Sequence, residues 1–132
     1  CCTAIDITRV SDKPKVVGPL SRQLMFVRSG VADVVIVDEQ CIRTDILEEV
    51  LKTGAVLIAT NEKMCLGLED VSHLDEDEII GYILRNRAAL LLDEEKVGKV
   101  AVELAKIIAK ERKDKKTLPD LNEVVELAKQ CT

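Results

Sequence analysis

The stretch Asp33-Val34-Val35-Ile36-Val37-Asp38-Glu39-Gln40-Cys41 decides the fold. An unalternated Val/Ile run that stops abruptly at acids, an amide and a thiol reads as a strand buried on both faces. Such strands belong to parallel sheets with helices on either side. In open parallel sheets ligands sit just beyond the carboxyl ends of the strands. Cys41 falls there, four residues past Val37. A structural Cys more often lies inside the apolar run, so the position leaves two readings open, a ligand or reactive thiol and a plain loop Cys.

Working outward, the same grammar repeats. Ala55-Val56-Leu57-Ile58-Ala59-Thr60 is a second buried strand, and Asn61 to Gly67, with Cys65, is the loop at its carboxyl end. Ala88 to Leu92 is a further apolar run, and Lys15-Val16-Val17-Gly18 is expected as a short strand. Helices are expected between them. Leu20, Leu24, Val27 and Val31 recur at helical spacing after Pro19, with Gly30 as a left-handed cap. Asp45-Ile46-Leu47-Glu48 resembles a capping box ahead of a stripe of Ile46, Leu47, Val50 and Leu51, and Gly54 ends that helix. Asp75 to Glu78 form an acidic first turn before Ile79, Ile80, Ile83 and Leu84. Asp93 caps a long helix carrying Val97, Val100, Leu104 and Ile108, and a short helix closes the chain from Leu121. Residues 1–10 read as a loop leaving a strand ahead of residue 1, then a short helix with Ile5, Ile7 and Val10.

The expected class is therefore α/β, a doubly wound, Rossmann or flavodoxin-like parallel sheet of about four strands with helices on both faces. In a 2-1-3-4 order, the strand ahead of residue 1 and the Asp33–Asp38 strand are neighbours, Lys15–Val17 is the edge, and Cys2 and Cys41 flank one crevice.

Composition bounds the chemistry. The 132 residues suit one core, and with Phe26 and Tyr82 as the only aromatics that core is aliphatic. A formal charge of −5 and no basic patch interleaved with aromatics argue against a nucleic-acid partner. No apolar run reaches the roughly 18 residues of a membrane span, so no membrane partner is expected and the expected location is cytoplasmic. There is no G-x-G-x-x-G and no G-x-x-x-x-G-K-[ST], which leaves nucleotide binding unsupported. The single His73 reads as a surface residue in an acidic loop. Five cysteines, Cys1, Cys2, Cys41, Cys65 and Cys131, are odd in number and far apart, which makes a poor disulfide framework and favours metal or redox chemistry. With no opening Met, the chain is expected to be a piece of a longer protein.

Three segments together name a family. Cys1-Cys2-Thr3-Ala4-Ile5-Asp6, Val17-Gly18-Pro19-Leu20-Ser21-Arg22-Gln23-Leu24 and Val35-Ile36-Val37-Asp38-Glu39-Gln40-Cys41 resemble the middle of nickel-iron-sulfur carbon monoxide dehydrogenase, in particular the α subunit of the archaeal acetyl-CoA decarbonylase/synthase complex. The resemblance runs on through Thr60-Asn61 and the helix around Val97 to Leu104. It implies reversible oxidation of CO with water to CO₂, two protons and two electrons, with ferredoxin as electron partner. It also implies a Ni-Fe-S cluster with Cys2 and Cys41 among its ligands, and thiolates are the soft donors such centres select. Ala4-Ile5-Asp6 stands where many bacterial relatives have Gly-Asn-Glu, which leaves open how Cys1 and Cys2 divide the work; Cys65 is likewise unassigned. The family's ligand His and its other ligand cysteines match nothing here, so the rest of the subunit and other subunits of the complex are expected partners. Residues 1–113 then form a Rossmann-like domain, and 114–132 a linker and short helix leading towards a truncated ferredoxin-like segment. In that segment Cys131 resembles the opening residue of a Cys-x-x-Cys run holding a [4Fe–4S] cluster. Two other readings stand beside it: a non-catalytic α/β subunit-contact module, and a small thiol-redox or zinc-binding domain.

Overall fold

The computed structural model describes residues 7–39, 43–64, 67–113 and 121–130. Its centre is β2 (Val56–Ala59), whose four side chains are all fully buried. Successive residues of a strand point to opposite faces. Accordingly Val56 and Ile58 enter one apolar cluster while Leu57 and Ala59 enter another. Helices α1 (Gln23–Arg28) and α2 (Ile46–Thr53) cover the Leu57 face through Leu24, Val27, Ile46 and Val50. Helices α3 (Glu76–Asn86) and α4 (Glu94–Lys113) cover the Val56 face through Ile79, Ile83, Val97, Val100, Leu104 and Ile108.

On either side of β2 run β1 (Val34–Val37) and β3 (Ala88–Leu90), both parallel to it, in the order β1-β2-β3. The helix between each pair of strands carries the chain back to the start of the next, which is what parallel neighbours require. The expected α/β class with helices on both faces is what forms. Among the described residues, however, the sheet has three strands and not about four, because Lys15–Val17 pairs with nothing as a strand and leaves Val16 and Val17 exposed. A strand needs a neighbour to take its N–H and C=O groups, and no described segment supplies one.

Helix ends follow local chemistry with one exchange. Gly30 and Gly54 adopt the left-handed conformation expected of them, and Asp93 Oδ1 accepts from the N–H groups of Glu95 and Lys96. The expected capping box at Asp45 does not form. Asp45 has φ −90° and ψ 3°, inside a turn closed by the Ile46 N–H donating to Arg43 O (3.1 Å), so its side chain cannot reach back over the helix. The box sits instead at Asp75 (φ −75°, ψ 167°), where Asp75 Oδ1 accepts from the Glu78 N–H (2.9 Å) and Glu78 Oε2 from the Asp75 N–H (3.3 Å). Extended backbone at the cap residue is what that geometry demands. Arg87 ends α3 left-handed at φ 66° without being glycine. Three residues of the expected apolar stripes turn outward: Leu20, ahead of α1, is 36% exposed, Leu51 45%, and Val31, past the end of α1, 69%. Residues 7–10 are helical, Pro19 precedes a 3₁₀ turn at Leu20–Arg22, and the last helix, α5, is Leu121–Lys129.

Two outcomes test this frame by chemical denaturation. Ile58→Ala, at the buried centre of β2, should cost about 2–5 kcal/mol, whereas Leu51→Ala should cost under about 0.5 kcal/mol. Asp75→Ala should cost about 0.5–2 kcal/mol and Asp45→Ala clearly less, the reverse of what the sequence pattern at Asp45 suggests.

Candidate functional site

Because all three strands run the same way, their carboxyl ends share one edge of the sheet. Polar residues begin there: Asp38 and Glu39 after β1, Thr60 and Asn61 after β2, and Asp93 three residues past β3. The edge is stitched by specific bonds. Thr60 caps the end of β1 twice, its N–H and its Oγ1–H both donating to Val37 O at 2.9 and 3.2 Å. The Leu91 N–H donates to Ala59 O at 2.8 Å, tying the end of β3 to β2.

Beyond the strands, Lys63 Nζ donates to Glu39 Oε2 at 2.6 Å, joining the segment after β1 to the one after β2. That hydrogen bond, reinforced by the Glu39 charge, raises the Lys63 pKa above its ordinary value. Lys63 is aimed by its own turn, since Asn61 Oδ1 accepts from the Lys63 N–H at 2.9 Å. The segment that leaves β1 is fixed again where it returns: the Arg43 N–H donates to Gln23 Oε1 on α1 (3.1 Å), and Arg43 Nε lies 3.5 Å from Asp45 Oδ1.

Beneath that return, α1 and α2 are locked together. Arg28 Nε donates to Glu49 Oε2 at 2.6 Å and Lys52 Nζ to Glu49 Oε1 at 3.0 Å. Glu49 is about nine-tenths buried. The Arg28 hydrogen bond first, and the Lys52 one second, hold its carboxyl down at about 2. On the far side of the sheet the Ser72 hydroxyl donates to Asp70 Oδ1 (2.5 Å) and accepts from the Leu92 N–H (2.7 Å), while Lys96 Nζ donates to Ser72 O and Leu74 O. These groups serve the loop they hold. His73 is exposed, as expected, and among the described residues no group of three or more His, Cys, Asp and Glu is arranged to hold a metal ion.

The sequence-derived ligand candidates Cys2 and Cys41, the electron-transfer candidate Cys131 and the unassigned Cys1 and Cys65 all lie outside the described residues. What is described is their approach along the chain: Glu39 and Arg43 each stand two residues from Cys41, and Lys63 two residues before Cys65. Sequence reasoning missed the Glu39–Lys63 pair, whose only signal is opposite charge just past two strands, since its members are 24 residues apart.

Fold and edge define a three-layer parallel α/β domain whose polar side is the carboxyl edge of the sheet, the side on which open α/β sheets generally bind ligands. No protein-family model matches the chain. Individual relatives do. The chain is 96% identical over its 132 residues to the acetyl-CoA decarbonylase/synthase complex subunit alpha of Methanocaldococcus jannaschii, covering 17% of that protein. It is 56% identical over 134 residues to the same subunit of Methanothermobacter thermautotrophicus, again 17% of the protein. Over 133 residues it is 44% identical to subunit alpha 1 of Methanopyrus kandleri, with 99% of the chain and 18% of that protein covered. The chain belongs to this family of alpha subunits, and it spans about one sixth of the length of the curated relatives it matches. Among the described residues no helix is long and apolar enough to cross a membrane.

The Glu49 cluster gives a pH-dependent outcome. A carboxyl held at about 2 when folded, below its ordinary 4.5, stabilises the fold above about pH 5, and the contribution fades as the pH falls towards 2. Glu49→Gln should therefore lower the melting temperature most at neutral pH, and the gap from the wild type should close progressively below about pH 4, read by thermal denaturation across pH.

Proposed function

We propose that the chain is the part of an acetyl-CoA decarbonylase/synthase alpha subunit that supplies Cys2 and Cys41 as ligands to a nickel-iron-sulfur cluster. The parent subunit would interconvert CO and water with CO₂, two protons and two electrons, the electrons leaving to ferredoxin. The observation that carries this reading is the 96% identity to an acetyl-CoA decarbonylase/synthase alpha subunit, with Cys41 standing four residues past the end of β1 in the sequence, on the side of the sheet where open α/β sheets hold ligands. The donor set fits the group, since thiolates select iron-sulfur and nickel centres over hard cations. When bound, the cluster supplies the redox chemistry and the site for CO.

The role of this chain's own residues is positional. The strand ends fix where the Asp38-Glu39 and Asn61-Glu62 segments begin, and the Arg43–Gln23 bond fixes where the chain re-enters α2. The remaining ligands come from the rest of the subunit, with other subunits of the complex as neighbours. Cys131 is assigned to a [4Fe–4S] centre by the same thiolate chemistry, and Cys1 and Cys65 are left without a role.

The test is made in the intact subunit. Cys2→Ser and Cys41→Ser should each remove bound nickel and lower CO-dependent dye reduction by at least about 100-fold, above the 10–100-fold typical of losing a mere supporting partner. Cys131→Ser should lower the iron content and the reduced-state EPR signal with nickel retained. Full nickel and turnover in Cys41→Ser would leave the chain as a subunit-contact module.

A further inference from the structure

Two hydrogen bonds reach the chain on either side of Cys41 from elements that are themselves rigid. Where the chain leaves β1, Glu39 Oε2 accepts from Lys63 Nζ at 2.6 Å, and where it returns, the Arg43 N–H donates to Gln23 Oε1 at 3.1 Å. The partners lie 24 and 20 residues apart in sequence, so neither bond is a local turn contact. Cys41 is two residues from Glu39 and two from Arg43. Because consecutive Cα atoms are about 3.8 Å apart, its Cα stands within about 7.6 Å of both anchored positions.

Neither anchor is loosely mounted. Gln23 opens α1, whose Leu24 and Val27 are buried, and α1 is tied to α2 by the Arg28–Glu49 bond. Arg43 is held through its carbonyl as well, which accepts from the Ile46 N–H at the start of α2 (3.1 Å). Lys63 lies in a 3₁₀ turn, Glu62–Met64, in which the Met64 N–H donates to Asn61 O (2.9 Å) and Met64 packs against the Leu57 face of the core. Metal-ligating side chains keep a productive geometry when their supports are fixed in this way.

Stability is a poor account of the two bonds. The Glu39 and Lys63 side chains are 33% and 77% exposed, and a solvent-exposed ion pair adds little to folding free energy. The Arg43–Gln23 bond is exposed too. We propose that Gln23 and Lys63 are positioning residues for Cys41, holding the chain on both sides of it so that its thiolate meets the cluster in one place; the assignment rests on the cluster ligation proposed above for that thiol. Without either bond, ordering Cys41 on the cluster costs additional conformational entropy. A role for Gln23 also follows within Ser21-Arg22-Gln23-Leu24, where the core accounts only for Leu24.

The test uses the intact alpha subunit with its cluster. Gln23→Met keeps the length of the side chain and removes the acceptor, whereas Gln23→Glu keeps an accepting oxygen; Lys63→Met and Lys63→Arg make the same comparison at the other anchor. Each Met variant should lose about 10–100-fold in nickel affinity and in CO-dependent dye reduction, the loss typical of a group that supports a metal ligand. Gln23→Glu and Lys63→Arg should recover both. In the metal-free subunit the Arg43 amide should exchange at least about tenfold faster in Gln23→Met than in Gln23→Glu, at an unchanged melting temperature. Full nickel in either Met variant overturns the proposal, and if Cys41→Ser still loses nickel, the cluster reading stands without it. Full nickel in Cys41→Ser removes both readings. A loss that Gln23→Glu and Lys63→Arg fail to reverse, or that a fall in melting temperature matches, marks a structural role and overturns the proposal as well.

Discussion

The structure depends on the burial of β2 from both sides. Val56, Leu57, Ile58 and Ala59 are wholly out of water, and each large aliphatic side chain so buried is worth about 1.5–3 kcal/mol relative to exposure. Neither half of that gain is available unless helices cover both faces, so α1 with α2 and α3 with α4 are obligatory partners of one strand. Helical connections in turn make the strands parallel. With all strands parallel, their carboxyl ends collect on one edge.

That edge is where apolar sequence gives way to polar. Thr60 closes β1 by bonding Val37 O with two groups, and Lys63 reaches across to Glu39, so the segments leaving β1 and β2 start as a pair. The arrangement costs the core nothing, because the polar atoms involved stand beyond the last buried residue of each strand. Chemistry placed there can be held by rigid strand ends while its ligands vary in the loops, a division of labour usual for sites on α/β sheets.

Away from that edge the same economy of local fixing recurs. Lys96 and Ser72 secure the turn before α3, the Asp75–Glu78 box starts α3, and Arg28 and Lys52 secure Glu49 between α1 and α2. Arg28 and Lys96 reach across to another element, while the Asp75–Glu78 box and the Lys52–Glu49 pair act within one helix. They set element positions where the aliphatic core, with so few aromatic shapes to key it, leaves sliding room.

The sequence by itself determined the elements whose cause is local or periodic. The unbroken run at Val56–Ala59 specified a doubly buried strand, the 3.6-residue stripes specified α2, α3 and α4, and Gly30, Gly54 and Asp93 specified ends that need only their own neighbours. The cysteine spacing and the segments around it carried the family resemblance, which the identity to alpha subunits bears out. Tertiary structure decided the rest. Asp45 and Asp75 are equally good caps on paper, and the backbone turn at Arg43–Ile46 alone disqualifies the first. Lys15–Val17 has strand composition, but strand pairing is a contract with a distant segment, and among the described residues that segment is not there. The Glu39–Lys63 bond, joining residues 24 apart in the chain, exists only because parallel strands bring their ends together.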